Sequence, residues 1–180
     1  MDRRLIIVTG PPGVGKSTVA RALALGWPGD VAVHLHSDDL WTYIVKGYIP
    51  PWKPESRDQN IVVTEAMVAQ AVTLGVGGYP VFFDGVVGPW FLDPFRKGAR
   101  AASLRLDYLV LRPSRNEAIA RGTAREGHPM RDAQVIGTMW DQFADLGELE
   151  RHVLDTSGQA VEETVEAAVE GLAREQYWLW

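Results

Sequence analysis

Apolar residues along the chain gather into five short runs, and the stretches between them carry helical spacing. Leu5 to Val8, Val31 to His36, Tyr79 to Phe83, Leu104 to Leu111 and Val153-Leu154 are nearly continuous in hydrophobicity, the pattern of strands buried on both faces of a parallel sheet. After the first run, Val19, Ala20, Ala22, Leu23 and Ala24 continue without a breaker to Gly26 and Pro28. Ile61, Val62, Glu65, Met67, Val68, Ala71 and Val72 predict a long helix over 58–74 that ends at Gly75. Further helices are predicted after Phe95 through Arg100, from a Ser114 cap through Arg125 to a break at Glu126-Gly127-His128-Pro129, over 132–143 and over 161–172. Two stretches, 47–57 around Trp52 and 88–95 around Trp90, hold enough proline to be read as stiff aromatic loops. The alternation predicts an α/β class: one domain over 1–180, a five-stranded parallel sheet with helices on both faces.

The first strand-to-helix junction carries the clearest chemistry. Gly10, Pro11, Pro12, Gly13, Val14, Gly15, Lys16, Ser17 and Thr18 fit GxxxxGK[ST], with a strand ahead and a helix behind. Glycines let the backbone curl and turn successive N–H groups inward at a phosphate. Lys16 supplies a point charge toward the β and γ phosphates, Ser17 a hydroxyl ligand for Mg²⁺, and the helix N-terminus its partial positive charge. The fold expected is therefore that of P-loop NTPases, of the nucleoside-monophosphate-kinase type, with ATP or GTP and Mg²⁺ as cofactors.

Carboxylates fall at the ends of two other strands, the edge where open parallel sheets collect ligand chemistry. Asp38 and Asp39 follow the second strand; one of them is a candidate base or metal ligand, although Ser37 or Asp38 also suits a helix N-cap. Asp84 ends the third strand and can serve Mg²⁺ or orient the acceptor, or simply form an Asp-Gly turn with Gly85. Arg121 and Arg125, one turn apart, are expected to share a helix face and to be drawn together by an anion such as triphosphate; the other reading pairs Arg121 with Glu117. Trp41, Trp52 and Trp90 lie in segments predicted on the acceptor side, and either line a pocket for a flat or apolar substrate or pack in the core. The acceptor segments are placed at 38–60 and 84–100 and a lid at 114–132. His34, His36 and His128 lack metal-ligand spacing and are read as core or surface histidines. The aromatic tail Tyr177-Trp178-Leu179-Trp180 is expected to dock, on this domain or on a partner.

Composition narrows the classes. With no cysteine there is no disulfide framework, no Cys-ligated zinc and no thiol nucleophile. A net charge of −5 argues against nucleic acid as partner for the whole surface, and the four apolar residues before Thr9 are too few for a signal-peptide core or a membrane span. A cytoplasmic location with no membrane association is expected.

Together these motifs resemble the small P-loop kinases that phosphorylate a hydroxyl, a set that includes gluconate kinases, chloramphenicol phosphotransferases, zeta-type toxins and the kinase domain of polynucleotide kinases. That resemblance implies Asp38 as general base, Asp84 as the third-strand carboxylate, Arg121 and Arg125 as lid arginines, and Thr156 and Ser157, in Asp155-Thr156-Ser157, beside the nucleotide base. The runs His36-Ser37-Asp38-Asp39-Leu40-Trp41 and Asp84-Gly85-Val86-Val87 are similar to those of uncharacterised bacterial proteins labelled only as kinases. Several relatives carry Arg three residues after the base, where this chain has Trp41; the lost cation favours an aromatic or apolar acceptor over a phosphorylated one, the alternative being that Arg96, Lys97 and Arg100 replace part of that charge. The function expected is transfer of the γ phosphate to a hydroxyl of a small molecule, whether antibiotic, nucleoside or sugar derivative. Two other readings stay open: a polynucleotide 5′-hydroxyl kinase, and a nucleotide-gated switch or binding module. No motif fixes the acceptor, the choice of ATP or GTP, or the oligomeric state.

Overall fold

Every residue of β1 (Arg4–Thr9) is buried, because this strand runs through the middle of the sheet. In the computed structural model, which describes residues 3–126 and 130–180, it is flanked by β3 (Val81–Asp84) and β4 (Arg105–Leu111), with β2 (Val33–His36) and β5 (Val153–Leu154) outside them. The order is β2-β3-β1-β4-β5 and every pairing is parallel. Gly127, His128 and Pro129, read above as a helix break and as part of the lid, lie outside the described residues.

Side-chain alternation divides the strands between two apolar layers. Leu5, Ile7, Phe83 and Tyr108 face α3 (Arg57–Val76) and α4 (Pro89–Ala101), meeting Met67, Leu92 and Phe95. Ile6, Val8, Phe82 and Leu109 face α1 (Lys16–Leu25) and α7 (Val161–Ala173), meeting Val19, Leu23 and Leu172. Both faces are therefore covered, as the continuous apolar runs require.

Several boundaries differ from the sequence expectation. Gly75 does not end α3, which continues to Val76; Gly75 is buried where a Cβ would stand 2.9 Å from Leu104 Cδ1, so close packing explains this glycine. The stretch 88–95 is no loop: α4 begins at Pro89, whose fixed φ suits the first helical position, and includes Pro94. Burial of Leu92, Phe95 and Ala99 at helical spacing compensates the one backbone bond that Pro94 cannot make. Neither Ser37 nor Asp38 caps α2 (Ser37–Thr42); His36 takes that place without a side-chain bond.

The helix α5 (Arg115–Thr123) starts at the expected Ser114 cap but stops before Arg125, so Arg121 and Arg125 do not share its face. Its last carbonyls are taken up locally, Ile119 O and Ala120 O by the Thr123 hydroxyl and Thr123 O by Arg131 Nε, which satisfies the end without further helix. Asp132 then caps α6 (Ala133–Asp141). The aromatic tail docks on this domain: Tyr108 N donates to Tyr177 O and Leu179 N to Leu106 O, and the Tyr177 ring is buried. Among the described residues no helix is long and apolar enough to cross a membrane.

Candidate active site

The phosphate loop folds as its residue types dictate. Gly13 has φ +82°, and a Cβ there would stand 2.7 Å from Ala118 O and from Gly122 N, so the loop and α5 approach each other backbone to backbone. At Gly15, with φ +89°, nothing lies within 4 Å of a built Cβ; the space in front of the loop is open. Lys16, the first residue of α1, reaches back to donate from Nζ to Pro11 O at 2.9 Å. Enclosure of its ammonium pulls the pKa down to about 8, against the raising influence of Asp84 and Asp38 and with a further lowering by Arg125.

Asp84 stands opposite both Val8 and His36 in the sheet register, on the face that α1 covers. Ser17, one residue into α1, donates from Oγ to Asp84 Oδ2 at 2.6 Å. His34 Nε2 lies 2.6 Å from Asp84 Oδ1, and His36 Nδ1 lies 3.0 Å from Asp84 Oδ2. An ionised carboxylate only accepts, so both ring nitrogens carry a proton and donate. Burial alone would raise the Asp84 carboxyl; the bonds from His34, His36 and Ser17 outweigh it and hold the group well below the usual carboxylate range. The hydrogen bond with Asp84 in turn raises His36, against burial. Both histidines therefore belong to the site. Their spacing, two apart on one strand, places them on one face, but the partner sits on a strand almost fifty residues away.

Around this cluster opens a cavity of about 1170 Å³. Of the residues singled out from sequence, Gly13, Lys16, Ser17, Thr18, Asp38, Asp84, Trp41, Trp52, Trp90 and Arg125 line it, along with Pro12 and Gly15. Gly10, Pro11 and Val14 support the loop from behind and do not line it. Asp38 Oδ2 is 3.7 Å from His36 Nε2, whereas Asp39 is exposed and outside the lining. Arg121 also lies outside it, 3.6 Å from Glu117 Oε1. Thr156 is buried, and Ser157 is occupied with Asp155 and with the backbone N–H of Ser114, so this segment anchors the start of α5 and does not line the cavity.

The donor set beside the loop suits a hard divalent cation. Ser17 offers a hydroxyl and Asp84 a carboxylate that stays ionised, 2.6 Å apart. Among the described residues no group of three or more His, Cys, Asp or Glu is arranged to hold a metal by itself. Two oxygen ligands completed by phosphate oxygens and water are the usual provision for Mg²⁺.

Comparison with solved structures gives the fold. A gluconokinase from Sinorhizobium meliloti 1021 superposes with a TM-score of 0.71 at 22% identity, over 97% of this chain and 94% of that one. The tunicamycin resistance protein of Deinococcus radiodurans gives 0.69 at 16% identity, over 94% and 95%. The APS kinase CysC of Mycobacterium tuberculosis, solved with AMPPNP and APS, gives 0.69 at 16% identity, over 94% and 97%. The resemblance to small P-loop kinases read from the motifs is thus matched by the whole α/β architecture. No curated protein matches the chain. Residues 5–148 match the family described as AAA domain, and the chain belongs to that family.

Proposed function

We propose that the protein is an NTP-dependent phosphotransferase that moves the γ-phosphoryl group of ATP or GTP onto a hydroxyl of a small molecule. One observation carries this reading: Asp38 and Lys16 line a single cavity, which has room for an alcohol between a carboxylate and the phosphate loop. The kinases among the superposed structures support it.

In this reading the backbone N–H groups of residues 13–16 and the Lys16 ammonium bind the β and γ phosphates. Ser17 and Asp84 hold Mg²⁺, which when bound neutralises phosphate charge. Asp38 accepts the proton of the acceptor hydroxyl as its oxygen bonds to phosphorus; the bond to the β-phosphate oxygen breaks and NDP leaves. Arg125, exposed at the cavity rim, supplies charge to the transferring group. Arg121 joins it only by leaving Glu117. A polynucleotide acceptor is disfavoured, since Lys16 and Arg125 are the cavity's lysine and arginine among the described lining residues.

The test incubates purified protein with Mg²⁺, ATP or GTP and a panel of hydroxylated metabolites and antibiotics. Mass spectrometry is expected to find one acceptor carrying an added phosphoryl group. Phosphate release stimulated by a protein, with no phosphorylated small product, would instead favour a nucleotide-gated switch.

A further inference from the structure

We infer that the acceptor is an uncharged molecule with a broad apolar or aromatic face beside the hydroxyl presented to Asp38. This deepens the phosphotransferase reading and rests on it for the identity of the reacting hydroxyl.

Size comes first. Single-ligand pockets run to roughly 300–1,000 Å³; at about 1170 Å³ this cavity has room for the phosphate end of a nucleotide and a second, bulky ligand. Beyond the phosphate loop its larger walls come from four directions, Trp41 and Trp52 after β2, Met67 from α3, Trp90 and Phe91 from α4, and Met139 from α6, with neutral polar side chains such as Thr64, Gln134 and Gln142 between them. Trp90 is a fixed wall although 45% exposed. Its ring meets Phe143 edge-on at 5.5 Å and folds back over Gly88, where a Cβ would stand 2.2 Å from the indole. The glycine is what lets the indole lie there.

Charge excludes the commoner acceptors. Lys16 and Arg125 belong to the phosphate end, where Asp84 is held by His34, His36 and Ser17, while Asp38 brings a carboxylate to the acceptor side. A carboxylate or phosphate on the acceptor would enter beside Asp38 with no lysine or arginine of the described lining left to meet it. Asn60 points the same way. It is 7% exposed and lines the cavity, and its Nδ2 donates to Pro51 O at 2.8 Å and to Ser56 Oγ at 2.9 Å. Turning the amide over would set oxygen against the Pro51 carbonyl, so the orientation is fixed. Its Oδ1 has no hydrogen-bond partner among the described residues. That oxygen is enclosed, with less than 1 Å² accessible, so Asn60 stands in the wall as a neutral side chain and brings no cation to an anionic acceptor.

Naphthylethanol, its anionic counterpart naphthylacetate and gluconate serve as probes, with binding followed by calorimetry on the full chain without nucleotide. Naphthylethanol is expected to bind at least about tenfold more tightly than naphthylacetate or gluconate. Trp90→Ala and Gly88→Ala are each expected to weaken the alcohol about threefold or more, with affinity for a non-hydrolysable ATP analogue unchanged. Equal or tighter binding of either anion, or alcohol binding indifferent to both Trp90→Ala and Gly88→Ala, overturns the proposal. Loss of the ATP analogue from the unaltered chain strikes the phosphotransferase reading and not the pocket, so the two failures are separable.

Discussion

His34 Nε2 lies 2.6 Å from Asp84 Oδ1, joining an edge strand to the carboxylate that closes β3. Together with His36 and Ser17 it leaves Asp84 one orientation, its oxygens facing α1. A carboxylate clamped in this way is ionised and aimed before any cation arrives. Partners of this kind are worth roughly 10–100-fold in metal affinity. His34→Ala is expected to weaken the Mg²⁺ dependence of nucleotide binding by that order, and His34→Gln, which keeps a donor, to restore part of it. Calorimetric titration with Mg²⁺ and an ATP analogue checks this; an unchanged Mg²⁺ requirement in His34→Ala contradicts it.

Lys16 titrates at about 8 where the ordinary value is 10.5, chiefly because burial disfavours its charge. Between those two pH values the unfolded chain keeps a proton that the folded chain has lost, so stability rises with pH across the window, and the cost of the buried charge is fully present below it. Nucleotide binding runs the other way. The phosphates need the charged amine, and affinity is expected to fall above about pH 8, by up to about tenfold per unit. Binding of an ATP analogue measured from neutral to alkaline pH tests the sign: an affinity that is flat or rises above pH 8 contradicts it.

The two loop glycines are constrained differently. Gly13→Ala places a Cβ 2.7 Å from Ala118 O in addition to an unfavourable φ, whereas Gly15→Ala meets only the φ penalty. The left-handed conformation alone costs about 1–2 kcal/mol, so Gly15→Ala is expected to lower stability by that amount. Gly13→Ala is expected to lower it further and to displace α5 from the loop. Denaturant unfolding of both variants decides; equal losses would mean that the close approach of α5 is not a constraint.

Far from the cavity, Asp107 is fully buried and receives Arg4 Nε at 2.6 Å and Arg105 Nε at 3.1 Å. Removing it strands Arg4, itself 8% exposed, without its carboxylate. Asp107→Ala is expected to cost about 3–5 kcal/mol, and Tyr177→Ala, which empties the space over Gly171, a similar amount. Chemical denaturation measures both. A loss below about 1 kcal/mol at Asp107 would contradict the buried pair as a structural requirement.

Continuous apolar runs reveal buried parallel strands because no other element tolerates hydrophobicity on both faces in so few residues, and all five strands stand where the runs are. Local rules misread 88–95, since Pro89 and Pro94 signal a loop while the helical spacing of Leu92, Phe95 and Ala99 decides for a helix. Gly75 and Gly88 resemble punctuation in sequence and are packing devices in the fold, one admitting Leu104 and the other Trp90. The histidines could not be assigned from spacing, because what makes them part of the site is a strand register. Arg125 reaches the cavity from beyond the end of α5, a boundary set by the Thr123 and Arg131 bonds that no periodicity encodes.

Removal of the acceptor's proton by Asp38, opposite the phosphate loop, is the step on which the proposed transfer depends. Its most direct measurement compares turnover of the acceptor found by mass spectrometry in Asp38→Asn, Lys16→Ala and the unaltered protein, with nucleotide affinity measured alongside. Asp38→Asn is expected to lose about 10²–10⁴-fold in kcat with nucleotide affinity preserved, and Lys16→Ala to lose both. Turnover intact in Asp38→Asn while Lys16→Ala abolishes it would contradict the assignment.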